Sequence, residues 1–241
     1  MRAIVFDLGG TLMEYKGMHV SWVSNYKSCF EHADRKLSLG LSEGQIEGAV
    51  EILKKYNPRV NPREDDVDPM KIFSEICGLW KTDADAGKII EAFFEGMNLE
   101  PVIFEDSIPA LKKLRGMGYR IAALTDVATG MPDEMHKGFV TPLLPYFDFY
   151  VSSLSCGFKK PNTRGMEEIA DFFNSSPDDM IMVGDDLRDV QVAKRFGCKS
   201  VLIERKRADN PPASLGQDYS IKNLWELVDL VAGVDKCTLH L

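Results

Sequence analysis

Four short apolar runs along the chain each break into a polar loop, and helix-like stretches lie between them. Ala3–Phe6 leads into Asp7 and a Gly-Gly pair, Arg120–Leu124 into Thr125 and Asp126, Phe147–Val151 into Ser152 and Ser153, and Met180–Val183 into Gly184, Asp185 and Asp186. Apolar runs this short, closed by turn residues, predict buried strands. Helical spacing predicts helices over Ile108–Arg115, Arg164–Phe173 and Val190–Phe196, with a less regular one within Asp133–Leu144. Gly116 and Gly197 supply stops for the first and last of the regular three. Ser200–Ile203, Asp218–Ile221 and the amphipathic Leu224–Val231 add further strand and helix. Strand, polar loop and helix in repetition predict an α/β fold with a doubly wound parallel sheet.

Residues 16–99 break this alternation. They read as helical windows over His19–Leu37, Ser42–Tyr56, Met70–Trp80 and Ala84–Gly96, the second opening on a capping serine. The predicted organisation is therefore a core of residues 1–15 and 100–241 with a helical domain, 16–99, inserted between. Trp22, Tyr26 and Phe30 recur every four residues, the spacing of a core-facing stripe. Asn57–Pro69, with three prolines and a charged run, reads as a mobile loop.

Composition narrows the partners. The 241 residues are 44% hydrophobic and 27% charged, ordinary for a globular protein. Lysine plus arginine number 29 against 37 acidic residues, a net charge of −8, which is the wrong sign for general nucleic-acid or anionic-membrane binding. No apolar stretch approaches the length of a membrane span, and Met1, Arg2 and Ala3 run straight into the first strand. Five cysteines without a CxxC pair suggest neither a disulfide framework nor a zinc ribbon, so a cytoplasmic setting is expected.

In doubly wound sheets ligands bind outside the carboxyl ends of the strands, where Asp7, Thr125, Ser153 and Asp185 fall. Four segments stand there in order: FDLGGTL from Phe6, ALTD from Ala123, SLSCGFKKP from Ser153 and VGDDLRDVQVAKRFG from Val183. Together they resemble the four motifs of the haloacid dehalogenase-like hydrolases, in the subclass with a helical cap inserted between the first two motifs. The resemblance runs nearly the whole chain, taking in the insert length, the Lys-Pro dipeptide, the GDxxxD spacing and the terminal DYSIKNLWEL segment. It implies a Rossmann-like core and a magnesium-dependent phosphohydrolase acting on a small phosphorylated metabolite.

The resemblance assigns roles residue by residue. Asp7 matches the nucleophile that forms an aspartyl-phosphate while its other oxygen holds Mg2+. Asp185 would be a second carboxylate ligand, Asp189 an outer or water-mediated one, and the Gly9 carbonyl would also face the metal; oxygen donors are what magnesium prefers. Asp186 can substitute for either carboxylate. Thr125, Asp126 and Lys160 would bind the phosphoryl group, Lys160 offsetting its charge, with Lys159 as the exposed neighbour. Asp186 and Asp189 equally suit the cap of the helix that follows.

One position departs from the pattern. Members that hydrolyse phosphate esters usually carry a second aspartate two residues after the nucleophile, and here that position is Gly9. The missing general acid is an element worth about a hundredfold to ten-thousandfold in rate. Three readings stay open: a phosphatase with a substitute such as Glu14, a phosphonate hydrolase using Lys16 or Lys27 as a Schiff base, or an impaired member that binds a phospholigand or a protein. The 2-haloacid dehalogenases also lack this aspartate but need no metal, which sits poorly with Gly184-Asp185-Asp186. His19, His32, His136 and His240 show no metal-ligand spacing, and only His19 lies near the start of the insert. Cys156 has no adjacent acid or histidine to activate it.

Overall fold

The computed structural model describes residues 3–18, 21–205 and 214–238. In chain order the strands are β1 (Ala3–Phe6), β2 (Met13–Tyr15), β3 (Pro101–Ile103), β4 (Arg120–Thr125), β5 (Phe149–Ser152), β6 (Met180–Gly184), β7 (Lys199–Ile203) and β8 (Tyr219–Ile221). The helices are α1 (Tyr26–Leu37), α2 (Glu43–Tyr56), α3 (Pro69–Trp80), α4 (Ala86–Met97), α5 (Ser107–Gly116), α6 (Asp133–Val140), α7 (Ser153–Cys156), α8 (Arg164–Phe173), α9 (Leu187–Phe196) and α10 (Leu224–Thr238). None of the described helices is long and apolar enough to cross a membrane.

The main sheet has the order β5-β4-β1-β6-β7-β8, and every neighbouring pair is parallel. This is the doubly wound α/β arrangement expected from the apolar runs. β1, buried along its whole length, is the hinge of the topology: the chain goes from it to β4 and β5 on one side, and through β6 to β7 and β8 on the other. Such a reversal opens a crevice at the carboxyl ends of the strands beside it. One layer of the core joins Val5, Leu124, Val151, Met182 and Val192 with Met166 and Ile169 of α8. Gly165 lets α8 come down onto the sheet, since a Cβ there would lie 2.4 Å from Leu124 Cδ1.

The chain divides into two compact units. One comprises Met1–Glu14, Val102–Asp126 and Val140–Leu241; the other comprises Tyr15–Pro101 and Val127–Phe139. The second takes in a segment that lies beyond β4 in the chain, a grouping absent from the local pattern. The reason is packing within that unit: Gly130, at φ +81°, has no Cβ, and one would meet Phe73 and Leu53 at 2.9 and 3.2 Å.

Within the helical unit α2, α3 and α4 begin where a side chain satisfies exposed N–H groups. Ser42 and Gln45 form a reciprocal capping box on α2, Asp68 caps α3 ahead of Pro69, and Asp85 caps α4. The window expected from His19 is shorter than predicted: a 3-10 turn spans Val23–Asn25 and the α-helix starts at Tyr26, while His19 itself lies outside the described residues. Tyr26 and Phe30 are buried as the stripe requires, and Trp22 is half-buried, edge-on to Tyr15. The stretch 57–69 is pinned at its start by Asn57, which donates to the Tyr26 hydroxyl at 2.8 Å in the interior.

Phe30 is fully buried, with ring centroids of Phe93, Trp80 and Phe73 at 4.6, 5.7 and 6.2 Å. Truncating such a side chain removes apolar burial and leaves a cavity that rigid neighbours refill poorly. Phe30→Ala is expected to cost about 3–5 kcal/mol in urea unfolding of the full chain followed by tryptophan fluorescence. A loss below about 1 kcal/mol would show that the aromatic cluster is not the core of this unit.

Candidate active site

Strand register brings the polar loop residues to one level. Phe6 pairs with both Ala123 of β4 and Val183 of β6, so the next residue, Asp7, lies beside the ends of both neighbours. The N–H of Asp7 donates to the Val183 carbonyl at 2.9 Å, which holds the turn to the strand next door. Asp185 follows one residue beyond β6, and Thr125 closes β4 opposite Ser152. One oxygen from each of Asp7, Asp185 and Asp189 falls within a group spanning no more than 4.8 Å.

Lys160 enters this group from the loop after α7. Its ammonium donates to Asp7 Oδ1 at 2.5 Å and to Asp189 Oδ1 at 2.6 Å, and the side chain is only 5% exposed. Burying an ammonium is costly unless it is paired in this way. Burial disfavours its charge, but the carboxylates of Asp189, Asp7 and Asp126 outweigh that effect and raise its pKa. One ammonium cannot neutralise three carboxylates. Burial, against the opposing pull of Lys160, pushes Asp7 up to about 8, with Asp189 and Asp185 adding repulsion. Burial and the neighbouring Asp189 and Asp186 push Asp185 up to about 7. A cluster with surplus negative charge and all-oxygen donors fits a hard divalent cation such as magnesium.

Two glycines make this crowding possible. Gly10 has φ +82°, and a Cβ on it would lie 2.2 Å from Asp185 Oδ2; a Cβ on Gly184 would lie 2.2 Å from the Asp189 carboxyl carbon. Gly9 is different: it is exposed, lies outside the left-handed region, and a Cβ there would meet nothing within 4 Å.

The remaining expected site residues separate into those that face the group and those that support it. Thr125 is 3% exposed at the end of β4, with its hydroxyl bonded to no other described residue. Asp189 accepts from Lys160 through one oxygen and from the Asp186 N–H, at 3.0 Å, through the other, so it serves the lysine and the helix start at once. Asp186 is the N-cap of α9, its side chain accepting from the Arg188 N–H. Asp126 has both side-chain oxygens engaged, by the Lys160 N–H at 2.9 Å and by Arg188 Nη1 at 3.0 Å.

Lys159 overturns an expectation: it is 2% exposed, with Nζ 3.4 Å from the Ser153 hydroxyl. The loop turns inward at both lysines, which a two-lysine sequence pattern does not reveal. Glu14 is half-buried on β2 and lies outside the three-carboxylate group. Lys27 is exposed and paired with Glu43 at 2.7 Å, and that pairing raises its pKa, opposite to what a Schiff-base lysine needs. Lys16 is likewise exposed and paired with Glu100 at 3.2 Å. Burial raises the Cys156 thiol, in keeping with an inert side chain. His19 and His240 lie outside the described residues.

The sequence profile of haloacid dehalogenase-like hydrolases matches residues 1–197. The chain belongs to that family. A glyceraldehyde 3-phosphate phosphatase of Methanopyrus kandleri is 25% identical over 98% of this chain and 99% of its own. A phosphoglycolate phosphatase of Nitrosospira multiformis is 36% identical, but the match spans 36% of this chain and only 37% of that protein. Among solved structures, a haloacid dehalogenase-like phosphatase from Thermococcus onnurineus superposes with a TM-score of 0.62 at 23% identity, covering 97% of this chain and 99% of the other. A 2-haloacid dehalogenase from Pseudomonas syringae pv. Tomato gives 0.65 at 18% identity over 96% and 98%. At such identities the structural likeness establishes the haloacid dehalogenase-like fold and leaves the reaction to the residues.

The raised carboxyls fix the sign of a pH effect. Both folded values, about 8 and about 7, lie above the ordinary 3.8, so protonation favours the folded state. That contribution is complete below the unfolded value and is lost as pH rises through the folded ones. In EDTA the melting temperature is expected to fall from about pH 4 to about pH 8, and to fall less in Asp7→Asn. Equal slopes for the two proteins would show that Asp7 is not a source of the strain.

Proposed function

We propose that this haloacid dehalogenase-like chain is a magnesium-dependent phosphohydrolase that acts on a small phosphorylated metabolite through an aspartyl-phosphate. The observation that carries this reading is the Lys160 ammonium 2.5 Å from Asp7 within a three-carboxylate group. A carboxylate that attacks an anionic phosphate ester needs fixed positive charge beside it, and this carboxylate has it. The phosphatase names of the curated relatives support the same reaction class.

In this reading one Asp7 oxygen attacks phosphorus as the bond to the leaving oxygen breaks. Lys160 holds the nucleophile in place and offsets charge on the transferring group, while the Thr125 hydroxyl donates to a phosphoryl oxygen. Water then attacks the aspartyl-phosphate, releasing inorganic phosphate and restoring the Asp7 carboxylate. Asp7, Asp185 and the Gly9 carbonyl would hold magnesium, with Asp189 retained by Lys160. When bound, the ion supplies charge that offsets repulsion between nucleophile and phosphate. The helical unit is assigned the role of a cap that selects the substrate.

Gly9 leaves the departing alkoxide without the usual proton donor, and this favours a second reading in which the chain binds a phospholigand without turning it over. Two variants separate the possibilities. Asp7→Asn keeps the volume but cannot attack phosphorus, so magnesium-dependent release of phosphate from a panel of phosphometabolites should vanish while the circular dichroism spectrum stays parental. Parental turnover in that variant would exclude the covalent route.

Gly9→Asp tests the missing acid, and the open space around Gly9 allows the side chain. Turnover of alkyl phosphates should rise about tenfold or more, with little gain for p-nitrophenyl phosphate, whose leaving group departs without a proton. A folded variant with no selective gain would point to an existing donor such as Glu14 or to binding without turnover.

A further inference from the structure

The carboxylate of Asp126 is divided between two loops. Oδ1 accepts the backbone N–H of Lys160, and Oδ2 accepts Nη1 of Arg188. Arg188 lies in the first turn of α9, and its Nε reaches Asp186 Oδ1 at 3.3 Å, on the residue that caps that helix. One guanidinium thus ties the end of β4 to the start of α9. Through Asp126 it reaches the backbone of the lysine that bridges Asp7 and Asp189.

A lysine side chain is a flexible four-carbon stem, so its ammonium stays between two carboxylates only if its backbone is also held. The N–H bond to an ionised carboxylate is of the stronger, charge-assisted kind. That bond is aimed correctly only while Asp126 cannot rotate, and Arg188 on the second oxygen prevents rotation. The planar guanidinium serves two acceptors from fixed directions, Asp126 from Nη1 and Asp186 from Nε, a geometry that a lysine at 188 cannot reproduce. The side chain of Asp126 is 13% exposed and that of Arg188 26%, so solvent screens the pair only in part.

We propose that Arg188 is a positioning residue for Lys160: by locking Asp126 it sets where the Lys160 ammonium stands relative to Asp7. The consequence for turnover rests on the phosphohydrolase reading; the placement of Lys160 does not. The test uses the full chain and the variants Arg188→Gln, Arg188→Lys, Asp126→Asn and the double variant Arg188→Gln/Asp126→Asn.

The first readout needs no activity. Brief acylation with acetic anhydride, quantified by peptide mass spectrometry, should leave Lys160 nearly unmodified in the parent. In Arg188→Gln its modification should rise severalfold, while the exposed Lys194 and Lys199 react as in the parent and the melting temperature stays within a few degrees. The second readout is steady-state turnover of p-nitrophenyl phosphate with magnesium. Misplacing the cation should lower kcat by about a hundredfold with KM changed less than about threefold. Arg188→Lys should not restore kcat, and the double variant should be no worse than the poorer single one, as expected of residues acting in series.

Unchanged acylation of Lys160, or losses in kcat that multiply in the double variant, would overturn the proposal and leave Arg188 a helix-start ion pair. Raised acylation together with a parent that does not hydrolyse p-nitrophenyl phosphate would uphold the positioning role and count against the phosphohydrolase reading instead.

Discussion

The ammonium of Lys160 lies 2.5 Å from Asp7 and 2.6 Å from Asp189 with little access to water, and an ion so placed is stable only while both carboxylates keep their positions. Removing one partner from a buried pair typically costs about 3–5 kcal/mol, because the other charge is left stranded. The surroundings are arranged to prevent that. Asp189 is tied to the backbone of Asp186 by a capping box, Asp7 to β6 through its N–H, and the backbone of Lys160 to Asp126. Gly10 and Gly184 lack the Cβ atoms that would collide with Asp185 and Asp189. Each of these features looks local, but all of them serve one crowded cluster of unlike charges.

Under the proposed phosphohydrolase reading, that cluster also separates two parts of the chemistry that are usually found together. The charge platform is present in full: a buried lysine, three converging carboxylates and a threonine hydroxyl at the end of β4. The proton donor that the family resemblance leads one to expect two residues after Asp7 is replaced by an exposed glycine with open space around it. The two glycines that adjoin each other in the first loop therefore differ in kind. Gly10 is required by geometry, whereas Gly9 is a chemical difference from most phosphate-ester hydrolases of the family.

Much of this was legible from the chain alone because each strand announces itself as an apolar run and each loop residue follows directly. Asp7, Thr125 and Asp185 stand at strand ends fixed by that pattern, and the sheet puts those ends side by side. What stayed hidden depends on partners far away in sequence. Lys159 reads as a surface lysine until the loop is seen to fold inward, and nothing in the local pattern pairs Asp126 with Arg188, 62 residues on. Residues 127–139 follow a core strand directly, and only the packing of Gly130 against Leu53 and Phe73 reveals why they group with the helices.

The central place of β1 has a consequence for the chain while it is being made. Its partners for Ile4 are Ile121 and Ile181, so the nearer arrives 121 − 4 = 117 residues later. At ordinary ribosomal speeds of about 5–20 residues per second, that interval is roughly ten seconds. The helices from Tyr26 to Met97 emerge within it and find many of their partners among themselves. Ala-Ile-Val-Phe meanwhile waits as an unpaired apolar strand, the kind of segment that seeks strands of other chains. Arg2 and Asp7 bracket it, and charges so placed act as gatekeepers against such pairing. The aspartate on which the finished site is centred thus also stands where a charge flanks the apolar run of the nascent chain, before there is any site to serve.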